Sequence, residues 1–211
     1  MVDPYLYPGT SVLKNKLGIR KQETLDGAES NYSAMRLKEL QKNPLSGSYD
    51  FKHLCALHKY IFQDIYEWAG KPREIDIFKH ETVLAGISVD YTKYRNIKKE
   101  TVAVIRGMKD ESWKNLTLEL QTEKFSKHLA ALWKVHPFRE GNTRTVTYFC
   151  CQYVCENGVM MDGEVFAKHS DYLRNALVAA NAVFDDFRDR SKPEYLCRIV
   201  HDSIRRGQAQ K

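Results

Sequence analysis

Residues 136–144 read HPFREGNTR, placing a histidine, a carboxylate, a Gly-Asn pair and an arginine in one short stretch between two apolar segments. A packed core needs none of these polar groups there. His136, with an ordinary pKa of about 6.5, can take a proton from a hydroxyl at neutral pH. Glu140 is the kind of single carboxylate that shares Mg²⁺ with substrate phosphates. A helix starting at this point would leave the backbone N–H groups of Gly141, Asn142 and Thr143 unpaired at the positive end of its dipole, which makes an anion site. Gly141 allows close approach of a phosphate, and Arg144 can add a forked contact worth about 1.5–3 kcal/mol. Each residue alone has a plainer reading: a helix terminus for His136, an i,i+4 surface pair for Glu140 and Arg144, a turn for Gly141-Asn142. Together they imply a site for a metal-nucleotide or metal-phosphate complex. Phe138, between them, is expected to turn inward and pin the loop.

Such a loop must be held by helices, and apolar residues at spacings of three and four supply them. Phe51, Leu54, Leu57, His58, Ile61, Phe62, Ile65 and Tyr66 form one stripe, ended by Trp68-Ala69-Gly70. Tyr94, Ile97, Thr101, Val104, Ile105 and Met108 form a second. Leu118, Thr122, Phe125, Leu129, Leu132 and Trp133 form a third, which must stop before Pro137 because a residue preceding proline is pushed out of the α region. Val146, Phe149, Cys150, Tyr153 and Val154 form a fourth, stopped by Asn157-Gly158. Further helices are predicted over 163–182 and from the Ser191-Lys-Pro-Glu194 capping pattern onward. His53 and His58 read as structural or capping residues.

Arg73-Glu-Ile-Asp-Ile-Phe78 and Ile87-Ser-Val-Asp-Tyr91 instead alternate with period two, which predicts a small β-hairpin flap over 73–91. An isolated hairpin is marginal in water, so it must lie against the helices or clamp something. Residues 1–19 carry Pro4, Pro8 and Gly9 and read as an irregular lead-in; 204–211 reads as a frayed basic tail. The expectation is one all-α domain over 1–211 with a β-hairpin flap.

Composition narrows the function classes. Lys and Arg outnumber Asp and Glu by 33 to 27, a charge of +6 that suits a phosphate-bearing partner but is modest for a nucleic-acid binder. The five cysteines form no CxxC pair and no secretory leader is evident, so reduced thiols and a cytoplasmic location are expected. Cys150, Cys151 and Cys155 have spacings that suit core packing better than ligation. No apolar run reaches the roughly 20 residues of a membrane span.

The string His136-Pro-Phe138-Arg-Glu140-Gly141-Asn142-Thr-Arg144 resembles the signature of the Fic family (filamentation induced by cAMP), whose members transfer AMP from ATP to protein hydroxyl groups. Residues 3–17 resemble the family's lead-in, and Trp68-Ala-Gly-Lys-Pro-Arg-Glu-Ile75 the entry to its target-docking flap. The resemblance implies His136 as base, Glu140 as Mg²⁺ ligand, Gly141, Asn142, Thr143 and Arg144 as phosphate cradle, and a protein target aligned on the flap, where Ile75, Ile77 and Val89 would touch it. Leu177-Val-Ala-Ala-Asn181 resembles a segment lining the nucleotide pocket, which makes Asn181 a contact. The implied partners are nucleotide and protein target rather than nucleic acid or membrane. Oligomeric state, a homo-oligomer included, stays open.

Two positions depart from the family pattern. Thr143 stands where a glycine is usual, and Thr147 where an arginine usually meets the terminal phosphate. The family's inhibitory helix carries (Ser/Thr)-x-x-x-Glu; residues 22–43 resemble such a helix, but Ser30 is followed by Ala34 at the glutamate position. The resemblance therefore implies an adenylyltransferase without that glutamate brake, able to modify a target or itself. The alternative is a nucleotide-binding regulator with a degenerate, non-catalytic site.

Overall fold

The computed structural model describes residues 3–183 and 189–210. Its helices are α1 (Gln22–Lys42), α2 (Phe51–Phe62), α3 (Ile97–Lys109), α4 (Leu118–Val135), α5 (Asn142–Glu156), α6 (Glu164–Lys168), α7 (Ser170–Ala180) and α8 (Pro193–Ala209). Among the described residues, β structure is limited to two isolated bridges, Leu6 with Leu13 and Val183 with Asp189. The all-α expectation holds.

Helix α4 is the axis of the fold, packing on α3, α5, α7 and α8. Thr117 caps its start by accepting the Leu120 N–H at 3.4 Å, and Asp50 does the same for α2 by accepting from His53 at 2.8 Å. The apolar stripes predicted from spacing meet in one core: Leu54, Leu57 and Ile61 of α2, Phe125, Leu129 and Leu132 of α4, Val146, Phe149 and Cys150 of α5, and Leu196, Val200 and Ile204 of α8 are fully buried or nearly so. Each such side chain contributes about 1.5–3 kcal/mol, and Leu129→Ala, at the centre, would cost about 2–5 kcal/mol. This core fixes where α4 stops and α5 begins, and so fixes the 136–141 turn between them.

The predicted helix over 163–182 breaks into α6 and α7 at His169, whose φ of −119° and ψ of 40° are not helical. The predicted frayed tail is helical through Ala209. Ile204 is buried there, and a Cβ on Gly207 would lie 2.6 Å from the Met160–Met161 backbone, so α8 is seated tightly at this end.

The flap also differs from expectation. Its alternation is real: Arg73, Ile75, Ile77, Lys79 and Glu81 face the body, while Glu74, Asp76, Phe78 and His80 face solvent. Its two limbs do not pair as strands, and a short 3-10 turn occupies Thr82–Leu84. The inward side chains are the reason. Glu81, 2% exposed, takes two hydrogen bonds from Arg174 of α7 at 2.7 and 3.0 Å and one from the Tyr91 hydroxyl at 3.0 Å. The limbs meet through side chains, Tyr91 with Glu81 and the Lys79 N–H with the Ser88 hydroxyl at 3.2 Å, and their other ties run to the helices rather than along a strand ladder.

The lead-in docks beneath the 136–141 turn. Tyr5 meets Trp68 edge-on at 5.5 Å, and Arg139 donates to Asp3 at 2.8 and 3.0 Å.

Candidate active site

His136 caps the end of α4 in the left-handed conformation, with φ +49° and ψ 61°. It is 2% exposed, with its ring 4.2 Å from that of Tyr91 and edge-on to Trp133 at 5.2 Å. Its Nδ1 lies 3.2 Å from the Trp133 carbonyl. A carbonyl only accepts, so Nδ1 carries the proton and Nε2 carries the lone pair. That Nε2 is buried and, among the described residues, has no hydrogen-bond partner. Burial pushes the ring well below the ordinary histidine value, and Lys79 adds to the shift against a smaller opposing pull from Glu140.

Glu140 follows in the turn, its side chain one-third exposed. Lys79, from the flap, donates to Oε2 at 3.1 Å, and the Gly141 N–H donates to Oε1 at 3.0 Å. Burial alone would raise its pKa, but Lys79, the Gly141 N–H and Arg144 outweigh it and hold the carboxyl well below the usual range. An ionised carboxylate that already accommodates one positive charge fits a divalent cation. Among the described residues no cluster of three His, Cys, Asp or Glu could hold a metal alone, so a cation at Glu140 would need oxygens from a bound phosphate.

Gly141 opens α5 at φ +80°, a conformation that favours glycine, and a Cβ there would lie 2.3 Å from the Phe62 ring. The glycine is thus required by the fold itself. Asn142 is 1% exposed and its amide grips the Phe138 peptide from both sides, accepting from its N–H at 2.9 Å and donating to its carbonyl at 2.7 Å. Its side chain shapes the turn, which leaves the main-chain amides at the start of α5 as the anion-facing groups. Thr143 accepts from the Trp133 indole at 2.9 Å, a use for this side chain that the family pattern does not suggest. Phe138 does turn inward: it is fully buried and stacked 3.8 Å from His58.

The Glu140–Arg144 surface pair does not form. Arg144 instead turns to α1, donating through Nη1 to Ser33 at 2.7 Å and through Nη2 to Glu29, and its guanidinium lies over Phe62 at 4.8 Å. Glu29 also accepts from the Tyr66 hydroxyl. Ala34 offers no carboxylate; α1 reaches the site through Glu29 and Ser33. Asn181 ends α7 with its Nδ2 donating to Ala130 at 3.2 Å and Leu177 at 2.9 Å, so this amide nitrogen joins α7 to α4. Thr147 is 8% exposed, and its hydroxyl has no hydrogen-bond partner among the described residues.

Several residues the sequence did not single out belong to the site: Lys79, Arg73, Tyr91, Glu29 and Ser33. Their sequence separations from 136–144 run from 45 for Tyr91–His136 to 115 for Glu29–Arg144, and no local pattern signals such contacts. On the flap, Val89 is 2% exposed and faces the core, whereas Phe78, Val83 and Ile87 are 64%, 46% and 50% exposed and present the apolar surface.

The Fic/DOC family profile matches residues 48–154. Protein adenylyltransferase VbhT of Bartonella schoenbuchensis is 34% identical over 76% of this chain and 32% of its own length. The probable protein adenylyltransferase Fic of Salmonella typhimurium is 35% identical over 66% of each chain, and that of Escherichia coli 30% identical over 80% of each. This chain therefore spans about a third of the first relative's length. The N-terminal Fic domain of a putative cell filamentation protein from Bartonella quintana superposes with a TM-score of 0.73, covering 94% of this chain and 90% of that one at 22% identity. BepC of Bartonella tribocorum, solved with bound AMPPNP, superposes at 0.70, covering 94% and 95% at 21% identity. The profile match over half the chain and the bacterial relatives together make this chain a member of the Fic/DOC family.

Proposed function

We propose that this chain is a protein adenylyltransferase that moves AMP from ATP to a hydroxyl side chain of a protein, itself included. The observation that carries this reading is the unpartnered Nε2 of His136, a buried base with its tautomer set by Trp133. The target hydroxyl gives its proton to Nε2 as its oxygen bonds to the α-phosphorus; the bond from that phosphorus to the bridging oxygen breaks, and pyrophosphate leaves with the electron pair. The amides opening α5 face the phosphates, with Arg144 adjoining once its contacts to Glu29 and Ser33 are exchanged. Asn181 lies at the edge of the same reading, as a nucleotide contact. Glu140 would hold Mg²⁺, which when bound supplies charge neutralisation across the phosphates.

The protein target would lie along the flap, whose solvent-facing limb carries Phe78 and lacks strand partners, so an extended segment can add to it through backbone hydrogen bonds. Among the described residues no helix is long and apolar enough to cross a membrane.

The test is incubation with Mg²⁺ and ATP labelled at the α-phosphate, with mass spectrometry of the adduct. Covalent AMP on this chain or on a target, lost in His136→Ala, is the expected result. AMPPNP binding by calorimetry without any adduct would instead establish the non-catalytic regulator.

A further inference from the structure

Arg73 is the first residue of the flap, and its side chain is fully buried. Burying a guanidinium is costly unless every donor is matched. Here the matching groups are carbonyls: among the described residues the one carboxylate near it, Asp76, is 3.8 Å away and half-exposed. Nε donates to the His136 carbonyl at 2.8 Å, Nη1 to Ile75 at 2.6 Å, and Nη2 to Thr92 and, at 3.4 Å, to Val135. The main-chain N–H of Arg73 donates to Pro137 at 2.8 Å. One residue thus satisfies the carbonyls left over where α4 stops, at the negative end of its dipole.

Two features make this more than a helix cap. Left-handed backbone is unfavourable for a non-glycine residue, and a following proline favours extended backbone instead, so His136 needs outside contacts to stay at φ +49°. Arg73 provides them on both sides, at the carbonyls of Val135, His136 and Pro137. The other carbonyls it holds, Ile75 and Thr92, are the two feet of the flap, and Thr92 also donates its N–H to Lys134 of α4 at 3.4 Å. Tyr91, next to the second foot, packs its ring on that of His136.

The geometry points to Arg73 as a positioning residue for the transfer: by gripping the end of α4 and both feet of the flap, it fixes the backbone of His136 and sets the bearing of its ring relative to the flap. This rests on the reading of His136 as base. A base displaced by about 1 Å can lose about 100-fold in rate without any loss of ligand binding.

The full chain is compared with Arg73→Lys and Arg73→Gln by three measurements. These are the rate of AMP adduct formation from labelled ATP, AMPPNP affinity by calorimetry, and the ring-nitrogen NMR spectrum of His136. In Arg73→Gln the adduct rate falls about 100-fold while AMPPNP affinity is kept, and the single Nδ1-protonated tautomer gives way to a mixture. Arg73→Lys, which keeps a cation and a donor in place, recovers part of both. A folded Arg73→Gln protein with a single tautomer and a wild-type rate overturns the assignment, as does an AMPPNP affinity that falls in step with the rate. Should the wild type form no adduct, the adenylyl-transfer reading fails, yet loss of the single tautomer in Arg73→Gln still upholds the positioning of His136. Should neither variant fold, the wild-type spectrum decides: an Arg73 Nε–H signal as protected from solvent exchange as the α4 amides supports the grip, and rapid exchange overturns it.

Discussion

The two faces of the 136–141 turn each carry a fully buried histidine, and the two are used in opposite ways. On the inner face, His58 accepts the Gly70 N–H through Nδ1 at 2.8 Å, so its Nε2 bears the proton and donates to the Glu140 carbonyl at 3.0 Å. Its ring stacks on Phe138. On the outer face, His136 spends one nitrogen on Trp133 and leaves the other unpaired, on a left-handed backbone held from outside. Both rings are pushed down in pKa by burial, His58 to about 3. Burial and pKa therefore do not separate brace from base; the completeness of hydrogen bonding does.

Substituting each histidine is the most direct way to break this distinction. His136→Ala should lower adduct formation by about 10²–10⁴-fold, the share that a positioned base commonly supplies, with AMPPNP binding kept and a smaller loss of stability than His58→Ala, because it breaks one ring hydrogen bond rather than two. A loss of stability as large as that of His58→Ala would place His136 on the brace side. His58→Ala removes a stacked ring and strands the Gly70 N–H and the Glu140 carbonyl, at a cost of about 3 kcal/mol in urea unfolding. A loss under about 1 kcal/mol would mean that the turn stands without its brace.

Acid sharpens the same contrast. A histidine titrates near 6.5 when unfolded, whereas these two stay neutral in the fold to much lower pH. The unfolded chain thus binds more protons below about 6.5, so stability is present above that value and is lost as pH falls through it, by about 1.4 kcal/mol per pH unit for His58 alone, until its folded value of about 3 is reached. Urea unfolding at pH 7 and pH 5 should show the loss in wild type and a smaller one in His58→Ala. Adduct formation per folded molecule should instead run level through pH 6.5, because Nε2 of His136 remains unprotonated there. An inflection near 6.5 in that rate would show a ring open to solvent.

How much of this was readable follows chain distance. The four apolar stripes meet in the core as their spacing predicts, because periodicity is a local signal. The 136–144 stretch was legible because its chemistry is contiguous. Alternation over 73–78 separates two sides of the limb, but Ile75 and Ile77, expected to touch a target, turn to the body, and the contacts made there, Glu81 with Arg174 and Lys79 with Glu140, carry no local signal. Val89, expected from the sequence to touch a target, is buried, since alternation fixes two sides without saying which is outer. Asn142 matched its motif, yet its side chain closes the turn on Phe138, a contact visible only once the turn is folded.

The smallest expected effect concerns Arg144, which sits between the two faces. Its terminal nitrogens are committed to Glu29 and Ser33, so a phosphate reaching it must displace a charged partner. Glu29→Gln keeps the shape and the contact to Tyr66 but removes the charge. A charge-assisted hydrogen bond is worth about 1.5–3 kcal/mol, and Ser33 and Phe62 still hold the guanidinium, so the gain in AMPPNP affinity should be a fraction of that, about threefold by calorimetry. Weaker binding in Glu29→Gln would mean the reverse: that Glu29 orients Arg144 toward the ligand, and that α1 supports the site in the way His58 does rather than competing for it.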